Sequence, residues 1–320
     1  MSADVTVIIP TRDRPSLLAD ALRSVEAQER RPACTVVVDD GSAQPPPLPT
    51  GPAVEVLRHP RALGVAAARN RGLERVETEW VAFLDDDDLW APAKLARQLD
   101  VAAAAAADFV WCGVVVVDAR RRPVGMVAAA DPRALLPRLL RTNSIGSPSA
   151  VLVRTELVRA VGGFDEQLAL LADWDLWLRL AAAGRCAASR ELLVAYTEHS
   201  SNMTVAAAGG FGPELARMAD QHAPLLRRYG GPLGGAELER WNVGGRRRGG
   251  GRFGAARAYL VAGVRGRDAG SLVRAPAALL GEFLLRRLRG RRAAARVGDT
   301  AWLERYRRPE DEAAATAPTA

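Results

Sequence analysis

The chain contains few cysteines for its length. Three of them, Cys34, Cys112 and Cys186, are scattered over 320 residues without the spacing of a disulfide framework or a zinc site. We interpret them as small core residues of a protein in a reducing compartment. The apolar run that begins at Val5 lies too close to the N-terminus for a cleavable signal peptide, so we expect none.

Long apolar segments and glycine-rich phosphate loops are also missing. The two longest apolar runs, 101–107 and 109–117, are separated by Asp108, and neither reaches the about 20 residues that cross a bilayer. No GxGxxG lies between the first predicted strand and the first predicted helix, and no GxxxxGK[ST] occurs. These absences argue against a transmembrane helix, a Rossmann dinucleotide site and a P-loop.

Acidic residues are scarce in one region only. The net charge is +7, but residues 1–240 sum to −3, residues 241–308 to +13 and residues 309–320 to −3. The charge of the first region excludes it as a nucleic-acid binder. Residues 241–308 are the candidate for a polyanionic partner, yet they lack aromatic stacking platforms and a recognisable nucleic-acid module. We therefore expect no nucleic-acid partner.

The sequence does contain a regular alternation of buried strands and helices. Runs of β-branched residues predict the strands, and apolar residues three or four positions apart predict the helices. In chain order, the predicted elements are strand 4–11, helix 15–28, strands 34–42 and 53–59, helix 64–76, strand 80–85 and helix 91–105. This pattern predicts an α/β fold with a Rossmann-like, mostly parallel sheet flanked by helices.

The predicted elements change after the first alternating strands and helices, and the amino-acid composition changes from residue 205 onward. A hairpin is predicted at 108–127, a strand and a helix at 147–166, and an amphipathic helix at 173–184. Further on, Ala, Arg and Gly dominate the composition. This change predicts a helical, Arg-rich C-terminal appendage over 205–308 and a disordered tail over 309–320.

Four adjacent acids, Asp85 to Asp88, follow the fourth predicted strand. They repel one another unless a cation lies between them. Carboxylate oxygens are the ligands that Mg²⁺ and Mn²⁺ prefer, so one interpretation is a divalent-cation site. The other is a solvated acidic turn in which Asp88 caps the next helix. Both can hold at once, with Asp88 capping and its neighbours binding.

Three further features lie at the ends of predicted strands or on helices. Asp40 ends the second strand, where a carboxylate can accept hydrogen bonds from a base or ribose, or can form an Asx turn. Arg69 lies on a helix of small residues and can reach a phosphate or belong to ordinary helix packing. Asp173 and Asp175 begin a helix, so that one can cap it while the other faces a cleft.

Six motifs in one order decide between these alternatives. From the N-terminus they are VIIPTRDRPSLLADALRSVEAQ, VVVDDGS, LGVAAARNRG, WVAFLDDDDLW, GGFDE and DWDLWLRL. Their order and spacing closely resemble those of the family 2 glycosyltransferases, which have the GT-A fold. The resemblance implies a transferase domain at 1–204, with a nucleotide-binding half at about 1–107 and an acceptor half at about 108–204.

The resemblance implies roles for five residues on the donor side. Pro10, Thr11 and Arg12 would lie beside the nucleotide. Asp40 would contact the base, usually uracil, and Arg69 would lie near the diphosphate. The implied donor is a nucleotide-diphosphate sugar, with a UDP-sugar as the first choice.

The resemblance also implies a metal site and a general base. Asp85 and Asp87 match the outer positions of the family's DXD motif, which holds Mg²⁺ or Mn²⁺ against the donor diphosphate, and Asp86 would lie near the donor ribose or sugar. Asp173 matches the acid that deprotonates the acceptor hydroxyl. His199 loosely matches a histidine that some relatives place near the metal-bound diphosphate.

One position departs from the family pattern, because Ala172 stands where a glutamate usually precedes the base. The implied function is an inverting, metal-dependent hexosyltransferase. Its acceptor would be a sugar, a lipid-linked molecule or a glycoconjugate, in the synthesis of cell-envelope polysaccharide, glycolipid or glycoconjugate. Ala172 also motivates an alternative, a non-catalytic relative that binds nucleotide sugars or glycans.

Residues 275–292 combine an apolar face with five arginines. Three interpretations are open: an interfacial helix on an anionic membrane, a helix packed on the catalytic domain, and a dimer contact. We expect a cytoplasmic protein. If 275–292 forms an interfacial helix, the protein would lie on the inner face of the plasma membrane.

Overall fold

The computed structural model describes residues 3–47, 53–198, 211–230, 232–234, 260 and 297–306. The strands are β1 (Ala3–Thr11), β2 (Pro32–Asp39), β3 (Val54–Arg58), β4 (Trp80–Phe83), β5 (Leu89–Trp90), β6 (Phe109–Val117), β7 (Pro123–Val127), β8 (Val151–Arg154) and β9 (Cys186–Thr197). The α-helices are α1 (Pro15–Glu26), α2 (Val65–Leu73), α3 (Lys94–Ala105), α4 (Leu135–Leu139), α5 (Thr155–Ala160), α6 (Ala172–Ala183), α7 (Phe211–Gln221) and α8 (Ala223–Tyr229). Short 3-10 helices lie at Pro132–Ala134, Pro148–Ala150 and Val297–Tyr306.

The first half of the sheet is parallel, as the apolar strands predict. β1 pairs with β2 on one side and β4 on the other, and β2 pairs with β3. Side chains on both faces of β1 are fully buried, among them Val7, Ile8 and Ile9. Parallel strands place their carboxyl ends at one edge of a sheet. The residues after β1, β2 and β4 therefore meet there.

The second half of the sheet is mixed. β8 pairs antiparallel with β4 and β6, and the predicted hairpin is formed by β6 and β7. β9 runs parallel to β6 and pairs antiparallel with the two-residue strand β5. β9 is not predicted by the sequence pattern, because Arg190 and Glu191 are exposed in its middle and break the apolar run.

The predicted appendage at 205–308 is described only in part. α7 and α8 pack against the main core of the sheet domain. Leu303 and Tyr306 of the 3-10 helix at Val297–Tyr306 join a second buried cluster with Leu89 of β5. The predicted helix at 275–292 and the tail at 309–320 lie outside the described residues. Among the residues that are described, no helix is long and apolar enough to cross a bilayer.

Lys94, the chain's single lysine, is fully buried at the start of α3. Its Nζ lies 3.7 Å from the centroid of the Trp90 ring and donates to the Val151 carbonyl oxygen at 3.3 Å. Burial lowers the pKa of Lys94 to about 7. Between about pH 7 and 10.5 the unfolded chain therefore holds one proton more than the folded chain at this site, and stability rises with pH over that window.

Lys94→Met should stabilise the fold at neutral pH, because it removes a buried amine and keeps most of its volume. We expect a gain of about 1 to 2 kcal/mol at pH 7 that shrinks as the pH rises toward 9.5. Thermal unfolding of both proteins across this pH range measures the difference. Arg97→Gln, an exposed change on the same helix, is the control. A gain that does not depend on pH would contradict the buried-lysine explanation.

Candidate functional site

A cleft of about 710 Å³ opens at the carboxyl ends of β1, β2 and β4. The N-termini of α2 and α6 form part of its wall. Nine of the ten predicted site residues line it: Pro10, Thr11, Arg12, Asp40, Arg69, Asp85, Asp86, Asp87 and Asp173. The tenth, His199, lies outside the described residues. The structure thus brings together residues that are far apart in the sequence.

Two arginines neutralise the acidic loop between β4 and β5. Arg69 Nη2 lies 2.5 Å from Asp85 Oδ1. Arg14 Nη1 lies 3.2 Å from Asp86 Oδ1 and 2.9 Å from Asp87 Oδ2, so that one guanidinium bridges two carboxylates. The repulsion between the acids is therefore offset by cationic side chains from α2 and from the loop before α1.

Arg14 is a site residue that sequence reasoning did not single out. The motif PTRDR contains two arginines, and the prediction chose Arg12. Arg12 does line the cleft, but its side chain is 57% exposed and pairs with Asp13. Only the fold, which brings Arg14 to acids more than seventy positions away, distinguishes the two.

The acids of the loop differ in their surroundings. Asp86 is buried, and its Oδ2 accepts a hydrogen bond from Thr11 Oγ1 at 2.8 Å. Burial and the neighbouring charge of Asp87 raise the pKa of Asp86 to about 7. Asp85 and Asp87 are less enclosed and open onto the cleft. These two carboxylates are therefore more accessible to a ligand than that of Asp86.

The prediction that Asp88 caps the next helix is wrong. α3 begins six residues later, at Lys94, and no side chain caps it. Asp88 Oδ2 instead accepts hydrogen bonds from Ser149 Oγ at 2.6 Å and Ser147 Oγ at 3.0 Å, and Asp88 Oδ1 accepts from the Thr197 amide at 3.2 Å. Complete burial raises the pKa of Asp88 well above its usual range. Its role is to attach the acidic loop to β9 and to the segment before β8.

The donor set of the cleft fits one kind of cation. Among the described residues, no group of three or more His, Cys, Asp and Glu side chains is arranged to hold a metal ion. Asp85 and Asp87 offer two carboxylates on one loop. Mg²⁺ is commonly held by one or two carboxylates together with substrate phosphate oxygens and water. The residues therefore fit Mg²⁺ or Mn²⁺ bound together with a diphosphate.

Asp40 lines the cleft directly after the end of β2. Its carboxylate accepts hydrogen bonds from His59 Nδ1 at 2.8 Å and from the amides of Leu63 and Gly64, both at 2.9 Å. Burial alone would raise its pKa, but these hydrogen bonds outweigh burial and lower it. Asp40 is therefore an ionised acceptor, held in place for a donor on a ligand.

Arg69 reaches the cleft because α2 packs very closely on β1. A Cβ atom on Gly72 would lie 2.5 Å from Ile8 Cγ2, so only glycine allows this approach. The guanidinium of Arg69 stacks on the Phe164 ring at 5.2 Å and is almost fully buried. Its Nε is buried without a hydrogen-bond partner among the described residues. Arg69 thus carries a fixed positive charge beside Asp85.

Asp173 lies in the first turn of α6, and part of its side chain reaches the cleft. Its Oδ1 accepts from the Trp174 amide at 2.7 Å, and its Oδ2 accepts from Asn143 Nδ2 at 3.1 Å. Burial raises its pKa, and the charge of Arg69 opposes that rise. A carboxylate with a raised pKa that faces a cleft is suited to accept a proton from a substrate.

Asp175 has a structural role. Its carboxylate pairs with His222 Nε2 at 2.7 Å and with Arg179 Nη2 at 2.6 Å, and it does not line the cleft. Neither Asp173 nor Asp175 caps α6, because the residue before the helix is Leu171 and no side-chain cap forms there. The choice left open by the sequence is thus resolved: Asp173 faces the cleft.

Comparisons with known proteins show which proteins this chain resembles. The model of glycosyl transferase family 2 matches residues 6–162. A pre-mycofactocin glycosyltransferase of Mycobacterium tuberculosis is 30% identical over 267 residues, which are 74% of this chain and 52% of that protein. The chain therefore spans about half the length of this relative.

Two solved structures share the fold. S. aureus TarS 1-349 in complex with UDP-GlcNAc matches with a TM-score of 0.57 at 17% identity, over 87% of this chain and 88% of that one. The mannosyltransferase PcManGT of Pyrobaculum calidifontis, in complex with GDP-Man and Mn²⁺, matches with a TM-score of 0.53 at 19% identity, over 96% of this chain and 86% of that one. At these identities the likeness establishes the GT-A type of α/β fold, which confirms the predicted fold class.

Proposed function

Through residues 6–162 the chain belongs to glycosyl transferase family 2, and from this premise we propose that it transfers a sugar from a nucleotide-diphosphate sugar to an acceptor hydroxyl. One observation carries the proposal. Asp173 lines the same cleft as Asp85 and Asp87, with Arg69 between the acidic loop and the helix that bears Asp173. A base and a diphosphate site thus share one cavity, which a group transfer between two substrates requires.

The leaving group of such a transfer is a nucleoside diphosphate, whose developing negative charge must be neutralised. Asp85 and Asp87 would hold Mg²⁺ or Mn²⁺, which supplies a double positive charge at the diphosphate when bound. Arg69 adds a buried positive charge beside them. Arg14, which pairs with Asp86 and Asp87, lies where it can contact the same phosphates.

Asp173 supplies the proton acceptor. As the acceptor oxygen forms a bond to the anomeric carbon, the bond from that carbon to the diphosphate breaks, and the hydroxyl proton moves to Asp173. Attack from the face opposite the leaving group inverts the anomeric centre. No protein nucleophile is needed for this single displacement.

The donor nucleotide that we propose is a uridine diphosphate. Asp40 is an ionised acceptor held by three hydrogen bonds, and it can accept the N–H of a uracil ring. TarS is solved with UDP-GlcNAc, which is in keeping with this choice, whereas PcManGT is solved with GDP-Man. Pro10 and Thr11 at the end of β1 and the exposed Arg12 would border the nucleotide, and Asp86 the ribose or sugar.

The acceptor that we propose is a sugar, a lipid-linked molecule or a glycoconjugate of the cell envelope. The amphipathic pattern at 275–292 supports work at an anionic cytoplasmic membrane surface. The segment between β7 and β8, including Arg138, Thr142 and Asn143, lines the cleft and would form its acceptor side. These side chains would position the hydroxyl toward Asp173.

Asn143→Ala should move the acidic limb of the pH–rate profile to higher pH. The transfer requires ionised Asp173, so the rate falls as the pH drops through its raised pKa. The hydrogen bond from Asn143 lowers that pKa, and its loss raises the pKa further. Rates measured from pH 5 to 9 test this, with Ser144→Ala as the neighbouring control. An unmoved acidic limb would contradict the assignment of Asp173 as the base.

A donor panel tests the function as a whole. Release of the nucleoside diphosphate is measured for several UDP-, GDP- and dTDP-sugars, with Mn²⁺, with Mg²⁺ and with EDTA. We expect turnover of at least one donor, dependent on the metal. Donor binding without any turnover would favour the alternative, a non-catalytic relative that binds nucleotide sugars, for which Ala172 is the motivating observation.

A further inference from the structure

A carboxylate from another helix contacts the backbone just before Ala172, the position where the sequence has no acid. Glu214 of α7 directs its carboxylate at the backbone just before α6. Oε1 accepts a hydrogen bond from the Ala169 amide at 3.1 Å, and Oε2 accepts from the Leu170 amide at 3.1 Å and the Leu171 amide at 3.0 Å. One carboxylate thus binds three consecutive amides that directly precede the first turn of α6, where negative charge is favoured by the helix dipole.

α7 holds the same segment at two further points. Arg217 Nη2 lies 3.1 Å from Asp165 Oδ2, and Gln221 Nε2 donates to the same oxygen at 2.9 Å. His222, directly after α7, lies 2.7 Å from Asp175. These contacts bracket the span from 165 to 175, and Asp173 lies inside that span. α7 is therefore attached to both sides of the residue that would act as the base.

The three clamped residues also form part of the cleft wall, directly before Asp173. We propose that Glu214 is a positioning residue for Asp173. It fixes the backbone of 169–171 and the first turn of α6, so that the Asp173 carboxylate is held toward the acceptor side of the cleft. This inference rests on the proposed function, because a positioning role for Glu214 requires that Asp173 acts as the base of the transfer.

Glu214, like Asp173, lies outside the part of the chain that the family model matches. The match ends at residue 162, and Glu214 lies about fifty positions further on. Ala172 offers no carboxylate of its own at the start of α6. A transferase that lost the glutamate before its base can keep the base oriented if another acid holds the preceding backbone. Glu214 is the acid that makes these contacts among the described residues.

The test compares Glu214→Ala and Glu214→Gln with Asp220→Ala, an exposed acid on the same helix. For Glu214→Ala we expect kcat to fall by about 10- to 100-fold with the donor KM changed less than about threefold, because the base is displaced but the donor site is intact. Glu214→Gln should recover part of kcat, since an amide oxygen still accepts hydrogen bonds. Asp220→Ala should match the wild type.

Hydrogen exchange supplies a readout that needs no substrate. The amides of 169–171 should exchange at least about tenfold faster in Glu214→Ala than in the wild type and in Asp220→Ala. If Glu214→Ala does not fold, Glu214→Gln carries both measurements. Unchanged exchange, or an unchanged kcat with faster exchange, would overturn the proposal. A wild type that turns over no nucleotide sugar would overturn the proposed function instead, while exchange still reports whether Glu214 clamps 169–171.

Discussion

Asp173→Asn is expected to slow sugar transfer by about 10³-fold while donor affinity stays within about twofold of the wild type. The amide has nearly the shape of the carboxylate, and its oxygen can keep the hydrogen bond from the Trp174 amide. It cannot take a proton from a hydroxyl. The expected loss is therefore confined to the chemical step, because the proposed donor contacts at Asp40, Asp85 and Asp87 are untouched.

Two measurements separate the possible outcomes for Asp173→Asn. Initial rates with the best donor and acceptor give kcat, and calorimetric titration with the nucleoside diphosphate gives donor affinity. Asp220→Asn, at an exposed site on α7, controls for the loss of one negative charge. Near wild-type transfer would show that Asp173 is not the base. An equal loss of donor affinity would show that its role is structural.

Asp87→Ala is expected to remove the effect of metal on donor binding. In the wild type, Mn²⁺ should raise the affinity for the nucleoside diphosphate by about 100-fold, since Asp85 and Asp87 would hold the cation and it would supply positive charge to the phosphates. Without Asp87 the affinity in Mn²⁺ should fall to the value that the wild type shows in EDTA. The Asp87 side chain opens onto the cleft, so the substitution leaves little buried space behind.

Titrations with and without Mn²⁺ on the two proteins test this prediction. Asp100→Ala, at an exposed position of α3, is the control for removing an acid. If Asp87→Ala kept the full gain on adding Mn²⁺, the metal would have to be held elsewhere. If it lost donor affinity in EDTA as well, the contribution of Asp87 would be to hold Arg14, which lies 2.9 Å away.

The elements that surround the donor side were predictable because their patterns are local. β1, β2 and β4 each contain an apolar run near the carboxyl end of the strand, and each run is followed by polar residues. The topology rule for parallel sheets then places Thr11, Asp40 and Asp85 at one edge without further information. The position of the cleft can therefore be predicted from the strand pattern and the order of the strands along the chain.

The missed features depend on contacts between distant parts of the chain. Arg14 becomes distinct from Arg12 only when it meets Asp86 and Asp87. The pairing of Glu214 with the amides before α6 joins positions more than forty residues apart, and neither segment carries a local pattern for it. Asp88 was misassigned because an acid before a helix resembles a cap in sequence, whereas its serine partners follow about sixty positions later.

The last 3-10 helix acts as a plug. Leu303 and Tyr306 complete a buried cluster with Leu89, the residue that directly follows the four acids, and Trp302 Nε1 donates to the Leu192 carbonyl oxygen at 3.1 Å. Truncating the chain before residue 297 would unseat this plug and expose apolar surface next to the acidic loop. Truncation would thus damage catalysis whatever the Arg-rich segment does. Charge reversal of the arginines within 275–292, with the plug left in place, separates vesicle binding from the integrity of the catalytic core.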